Sequence, residues 1–242
     1  MATSRHREPL FLSTYNTVVI MPFSTTGSKT ELQAVNQILA SVGQAPVTSI
    51  DTETITDQNG NQVTVVTNPD VAIAYDTLQE VSREVQGEGW TFNKEFNYPF
   101  SPDNNGYISW PNNVLQLDLS DDPRYSGYRE KDTVKRDGRL YDRMSHTYTW
   151  ENTIYCDVVW FFTWEDLPSP IQDYITCRAA AIVSSRLVGD STQYQILQQK
   201  EAYARALAME YECNQGDYSM FGYPRQGTYY QSYQPYNTLQ RY

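Results

Sequence analysis

The residues of this 242-residue chain that could do chemistry are few and scattered. The two histidines, His6 and His146, lie far apart in the sequence, and each is expected to be structural or solvent-facing. The chain has no His-x-x-x-His or Cys-x-x-Cys spacing, no Walker-type Gly-Lys-Ser/Thr loop and no Gly-x-Ser-x-Gly elbow. We therefore expect no catalytic residues, no metal site, no cofactor site and no enzymatic activity.

Neighbouring acids leave one enzymatic alternative open. They are the pairs Asp121–Asp122 and Glu165–Asp166. Hydrolysis of a glycosidic bond needs two carboxyl groups held about 5–10 Å apart across a sugar cleft, and adjacency in sequence does not establish that geometry. Binding or hydrolysis of a surface polysaccharide is therefore kept as the alternative function.

The composition favours a water-facing protein that does not bind nucleic acid by itself. The chain has 29 acids against 18 bases, a formal charge of -11 and a mean hydropathy of -0.60, whereas free nucleic-acid binders are usually basic. No apolar run approaches the ~20 residues of a membrane helix, so no membrane insertion is expected. The three widely spaced cysteines indicate reduced thiols and assembly in a cytosol.

The densest basic stretch runs from Arg129 to Arg143 and alternates with acids. Its bases are Arg129, Lys131, Lys135, Arg136, Arg139 and Arg143, and its acids are Glu130, Asp132, Asp137 and Asp142. Mixed signs are typical of a salt-bridged face, either exposed or between subunits, rather than of a track for phosphates.

Four amphipathic patterns predict helices near 29–43, 69–87, 170–188 and 191–213. Capping boxes begin at Ser28 and at Thr30, while Asn68 and Ser169 are each followed by proline, as at a helix N-terminus. Amphipathic helices cannot bury their stripes separately, so we expect one bundle. The predicted apolar stripe of the fourth helix comprises Ile196, Tyr203, Ala206, Leu207 and Tyr211.

Strand-forming sequence lies between the helices. Residues 51–67 predict a projecting hairpin with an Asn59–Gly60 turn, and residues 90–166 predict several short strands, including an Asp137–Gly138 hairpin. The predicted fold class is α+β: a four-helix bundle with a small antiparallel β lobe inserted between helices 2 and 3, plus an extended N-terminal arm and C-terminal tail. The predicted divisions are 1–27 (arm), 28–89 (helices 1 and 2 with the hairpin), 90–166 (β lobe), 167–215 (helices 3 and 4) and 216–242 (tail).

Aromatic residues mark two candidate functional sites. Trp90 and Phe92 follow the second helix, and we expect them to form a hinge core between the bundle and the β lobe. The tail has almost no aliphatic residues but is rich in tyrosine, which predicts an extended segment that lies on a neighbouring subunit or another partner, with disorder as the alternative. Its tyrosines are Tyr218, Tyr223, Tyr229, Tyr230, Tyr233, Tyr236 and Tyr242.

An ordered set of short motifs resembles the tail tubular protein A family of short-tailed bacteriophages. The set begins with residues 34–47, continues with Gly-Trp-Thr-Phe-Asn at 89–93 and Tyr-Asp-Arg at 141–143, and ends with residues 168–179 and 201–220. Each motif alone is weak, but their order on a plan of helix pair, strands and helix pair is fairly specific. The 51–67 hairpin, the long arm and the tyrosine-rich tail depart from the family pattern.

The resemblance implies a structural virion protein of the tail, assembled in the host bacterial cytoplasm. Such an adaptor, or gatekeeper, forms a ring of twelve copies between the portal protein and the nozzle protein, tail tubular protein B. Tail fibres attach nearby, and the genome DNA passes through the lumen at ejection without specific binding. The alternatives are a tail component that binds or hydrolyses host surface polysaccharide and a free-standing binding module.

Overall fold

The computed structural model describes residues 29–50, 68–120 and 131–216, together with the backbone of 52–56 and 62–66. This part of the chain contains four α-helices, and all four lie where the sequence predicts them. They are α1 Glu31–Ser41, α2 Pro69–Gly87, α3 Ser169–Leu187 and α4 Ser191–Gly216. The largest difference in bounds is at the end of α4, which reaches Gly216 instead of residue 213.

The helix starts follow from local side-chain chemistry. Gln33 N–H donates to the Thr30 hydroxyl at 3.3 Å, and Thr30 N–H donates to the Gln33 side chain at 3.2 Å, which is the predicted capping box. Asn68 caps α2 by accepting from Asp70 N–H. The prediction for α3 was one residue late: Ser169 is already helical, because the Pro168 carbonyl accepts the N–H groups of both Ile171 and Gln172.

The bundle is organised around α3, which packs against α1, α2 and α4. Its Ile171, Tyr174 and Ile175 are fully buried. The same core takes in apolar residues of α1 and α2, namely Val35, Ile38, Leu39, Val71, Leu78, Val81 and Val85. The predicted single bundle is therefore confirmed, with α3 as its central helix.

The predicted stripe of α4 is wrong. Ile196, Tyr203 and Leu207 are 51%, 68% and 41% exposed, Ala206 is exposed and Tyr211 is half-buried. The buried residues are instead Leu197, Ala204, Ala208, Glu212 and Gly216. Ala204 and Ala208 of this face belong to the same apolar core as the buried residues of α3, while the larger apolar side chains Ile196, Tyr203 and Leu207 are exposed.

The strands all lie inside the two predicted β regions. They are β1 Thr52–Thr56, β2 Gln62–Val66, β3 Lys94–Phe100, β4 Val114–Leu119, β5 Thr133–Arg136, β6 Arg139–Asp142 and β7 Ile154–Trp160. β1 pairs with β2 antiparallel, which confirms the hairpin, although its Asn59–Gly60 turn lies outside the described residues. A three-stranded antiparallel sheet has the order β3-β7-β4, and β5 pairs with β6.

The strands between α2 and α3 have a core of their own. It contains Phe100, Ile108, Val114, Leu140, Trp150, Ile154, Cys156 and Val158. β4 alternates half-buried leucines with exposed Gln116 and Asp118, as the sequence predicts. The β5–β6 hairpin turns at Asp137 and Gly138, whose φ angles of 50° and 69° are those of the twist-compatible two-residue turn.

Several predictions fall on residues that the structure does not describe. The N-terminal arm, residues 1–27, is one, and the tail beyond Gly216 with its seven tyrosines is another. Among the described residues, no helix combines the length and the apolar character that crossing a membrane requires.

Candidate functional site

The groups that could do chemistry are not brought together in the described part of the chain. No three His, Cys, Asp or Glu side chains there are placed to hold a metal ion. His146 is exposed in a turn, with a φ of 53°. Asp166 accepts a hydrogen bond from the Thr163 hydroxyl at 2.9 Å in a short 3-10 turn, and the Asp121–Asp122 pair lies outside the described residues.

The thiols of the two buried or half-buried cysteines are held in the protonated form. Burial, assisted by the carboxylates of Asp157 and Asp118, raises the pKa of Cys156 to about 12. Burial also raises the pKa of Cys177, which packs against the bundle core. Since the thiolate is the nucleophilic form, neither thiol is activated for attack. Cys213, near the end of α4, is exposed.

Trp90 joins the end of α2 to the centre of the bundle. The side chain is 4% exposed and belongs to the bundle core. Its indole N–H donates to the carbonyl of Val85 at 2.7 Å, and its ring meets Tyr174 edge-on at 6.5 Å between centroids. Trp90 thus packs in the bundle core at the position where the chain passes from α2 to the strands.

Phe92 is partly buried in the same core, with its ring 6.3 Å from that of Phe162. Phe162 follows β7, so the pair connects the segment that enters the β lobe with the segment that leaves it. Gln86 of α2 reinforces this connection: its side-chain oxygen accepts from Phe162 N–H at 2.8 Å, and its amide nitrogen donates to the Phe162 carbonyl at 3.2 Å.

Asn93 adds a second polar connection between the α2 end and β7. It is 1% exposed and uses both ends of its amide. Its oxygen accepts from Trp90 N–H at 2.8 Å, and its nitrogen donates to the carbonyls of Gln86 and Trp160 at 2.8 and 2.9 Å. A buried amide with all of these partners fixes the local backbone, because leaving any of them unpaired is costly.

We call the contact region between the end of α2 and the β lobe the junction. Glu212 connects α4 to the junction, a role that the sequence prediction missed. Its buried carboxylate accepts from the N–H of Thr91 at 3.0 and 3.1 Å and from the Thr91 hydroxyl at 2.9 Å. The available signal for its burial was its spacing of four residues from Ala208 and eight from Ala204, which puts all three on one helix face. The junction therefore contains residues from α2, β7, α3 and α4.

Gly89 permits the sharp exit from α2. Its φ of +77° lies in the left-handed region, and a Cβ built there would lie 3.3 Å from a methyl group of Val159. The position is thus constrained both by its backbone conformation and by the close approach of β7.

A second candidate site is the exposed apolar face of α4, which we call the α4 stripe and define as Ile196, Tyr203 and Leu207. The spacings of seven and four residues place the three side chains in one row along the helix. All three are exposed. Large apolar side chains aligned on a surface, as opposed to scattered singly, mark an interaction face.

Among the described residues, carboxylates are the more frequent partners of the cations in the bundle, and aromatic rings are the more frequent partners in the β lobe. In the bundle, four ion pairs cross between elements: Lys29–Asp173, Arg178–Glu84, Arg186–Glu80 and Arg205–Glu88. Among the described residues of the β lobe, five cations lie over aromatic rings: Lys94 over Phe96, Lys131 over Trp150, Lys135 over Trp110, Arg136 over Tyr141 and Arg139 over Tyr107. The predicted salt-bridged face is represented in the described residues by one pair, Arg143–Asp132.

Comparison with known proteins bears on this arrangement. A search of curated proteins found no match. A family model described as "Tail tubular protein" matches residues 32–218. That range runs from α1 to the end of α4 and includes the junction and the α4 stripe. Because the match takes in the helices on both sides of the strands and well over half of the chain, the protein belongs to the tail tubular protein family, a family of structural components of phage tails.

Proposed function

We propose that this protein is the adaptor of a phage tail, which forms a ring of identical subunits between the portal protein and the nozzle protein. The observation that carries the proposal is the α4 stripe. An exposed row of one isoleucine, one tyrosine and one leucine on a bundle helix is suited to burial against another chain. We assign that contact to a neighbouring copy of the same subunit.

The pattern of burial along α4 supports the assignment. A helix that buried its largest apolar residues in its own core would leave none of them aligned in water, whereas α4 buries Ala204 and Ala208 and exposes Tyr203 and Leu207. Contact of the stripe with a different surface of the next copy would be heterologous, and a heterologous contact that closes on itself produces a ring.

The charge of the chain supports a role as a DNA conduit. Twelve copies at -11 each would carry -132. A negative wall offers no release of counterions from DNA, so the genome would pass along it without binding. In this proposal the same ring is the platform to which tail fibres attach.

The test is the self-association of the full chain, measured by sedimentation with and without portal protein. The double variant Tyr203→Ser/Leu207→Ser should weaken association at least ten-fold and leave the melting temperature of the separated chain unchanged, because both side chains are exposed. Met209→Ser is the matched control: Met209 is an exposed apolar residue of α4 that lies off the stripe. Unchanged assembly of the double variant would overturn the assignment of the stripe.

We propose that the tyrosine-rich tail, residues 216–242, contributes to the same assembly by lying on a neighbouring subunit or on the portal. Its composition supports this, since tyrosine gives a large contact area with little loss of conformational entropy. Deleting residues 222–242 should leave the monomer's melting temperature unchanged and weaken ring or portal binding. A truncated chain that assembles as well as the full chain would remove the tail from the proposal.

A further inference from the structure

We propose that the tip of the β5–β6 hairpin is an electrostatic docking surface for the acidic exterior of a second copy of this chain. The hairpin tip is defined as Lys135 to Arg139. The proposal deepens the proposed ring by naming a second contact between subunits, and it rests on that self-association.

The hairpin tip concentrates positive charge at the end of two paired strands. Arg136 and Arg139 are directly opposite each other in the strand register, with Lys135 as the next residue. All three are exposed. Like charges directly opposite on neighbouring strands are destabilising. The carboxylate at the tip, Asp137, accepts the Tyr148 hydroxyl at 3.1 Å.

Aromatic rings hold these cations without using their hydrogen-bond donors. The guanidinium carbon of Arg136 lies 4.2 Å from the centroid of the Tyr141 ring, and that of Arg139 lies 4.4 Å from the Tyr107 ring. A guanidinium stacked on a ring keeps its N–H edges available for a carboxylate, and the stacking reduces the conformational freedom that binding would remove.

The contrast with the bundle indicates that the charge is available to a partner. Each of the four bundle cations named above has a carboxylate within the same subunit. For Lys135, Arg136 and Arg139, no carboxylate oxygen of a described residue lies within 4.0 Å. Aromatic rings thus fix the positions of the cations of the hairpin tip, and no carboxylate in the described part of the chain forms an ion pair with them.

The charge of the chain identifies the occupant. Residues 131–143 contain five cations and three carboxylates, a net charge of +2, which leaves -13 for the rest of a chain whose total is -11. By net charge two copies repel each other, whereas this segment of one copy attracts the remainder of the other. An acidic subunit that associates with itself gains orientation and association rate from such a complementary patch.

The experiment measures the self-association of the full chain by sedimentation between 25 and 500 mM salt. The hairpin variant is Arg136→Gln/Arg139→Gln. The matched control is Arg83→Gln/Lys94→Gln, which also removes two exposed cations that lie over rings, those of Phe161 and Phe96, and changes the net charge equally. At low salt we expect about ten-fold weaker association for the hairpin variant and less than two-fold for the control. The three proteins should converge at 500 mM, where exposed charges are screened.

Three outcomes would overturn the inference. In the first, the hairpin variant associates like the unmodified chain at every salt concentration while Tyr203→Ser/Leu207→Ser associates more weakly. That result would support the ring but show that the hairpin tip is not part of its contacts. The control weakens association as much as the hairpin variant, which makes the effect one of total charge. Duplex DNA binds to the unmodified chain in a filter assay and not to the hairpin variant, which reassigns the surface to nucleic acid. A chain that remains monomeric at every salt concentration, with and without portal, would overturn the proposed ring itself.

Discussion

The carboxylate of Glu212 accepts both the backbone N–H and the hydroxyl of Thr91, at 3.0 and 2.9 Å. One residue lies in the last turn of α4, and the other lies three residues before β3. The contact therefore joins the C-terminal end of the bundle to the start of the β lobe.

Glu212→Gln should lower the free energy of unfolding by about 1–3 kcal/mol, because an amide would replace a charged acceptor that serves two donors in a buried site. The measurement is urea denaturation of the separated chain at pH 7. Glu210→Gln, an exposed neighbour on the same helix, is the control and should change stability by less than about 0.5 kcal/mol. Equal effects of the two substitutions would mean that the Thr91 contact contributes nothing to stability.

Trp90→Ala should lower the free energy of unfolding by about 3–5 kcal/mol, the usual range for truncation of a buried aromatic residue. Trp90→Phe retains most of the ring but loses the bond to the Val85 carbonyl, so a smaller loss of about 1–2 kcal/mol is expected. Thermal and urea unfolding measure both, with exposed Met209→Ala as the control. If Trp90→Ala leaves melting and assembly unchanged, Trp90 is not part of a junction core.

Asp142 provides a pH-dependent contribution to stability. Although its burial acts to raise the pKa, the backbone N–H groups of Met144, Ser145 and Asp132 and the Ser145 side chain bring it below the ordinary value of 3.8. A lowered native pKa gives stability that is complete above 3.8 and is lost as the pH falls through the native pKa. Asp142→Asn should therefore cost about 1 kcal/mol at pH 5–7 and less below pH 4.

The check is urea denaturation at several pH values, with Asp76→Asn, an exposed residue of α2, as the control for the change in net charge. A cost of Asp142→Asn that stays constant from pH 7 to pH 3 would contradict the assignment. It would place the effect of the substitution in packing instead of in the charge.

The three cysteines should react at different rates with a thiol reagent at pH 8. Cys213 is exposed and should react first. Cys177 is half-buried and should follow slowly, and Cys156, whose pKa is raised to about 12 by burial, should react only as fast as the chain unfolds. Mass spectrometry of the modified peptides gives the order, and Cys213→Ser should abolish the fast phase. Early modification of Cys156 would show that the β-lobe core opens locally.

Local chemistry made the helices and hairpins predictable from the sequence. Thr30 with Gln33, Asn68 with Pro69, and Asp137 with Gly138 each fix a helix start or a turn through interactions between residues close in sequence. Such signals do not depend on the rest of the fold, and the structure has the corresponding elements at the expected positions.

The buried face of α4 could not be predicted from local signals in the same way. Hydrophobicity favours Tyr203 and Leu207 for the core, but the structure buries Ala204 and Ala208 instead, and the close approach of two helices depends on side-chain size. The contact of Glu212 with Thr91 joins residues 121 positions apart, so the sequence around either residue does not identify the other as its partner. These relationships are set by the partner helix and appear only once the tertiary structure is formed.

The central helix of the bundle is synthesised well after the two helices that precede it in the chain. α1 and α2 end at Gly87, and α3 begins at Ser169. At about 5–20 residues per second, the ribosome needs roughly 4–16 s to make the intervening segment. Throughout that time the apolar stripes of α1 and α2 have no α3 to cover them, while the β lobe, which has its own core, can fold first. The insertion thus imposes a waiting period in which the nascent chain is open to chaperones, and the subunit becomes competent to assemble only when its C-terminal half has left the ribosome.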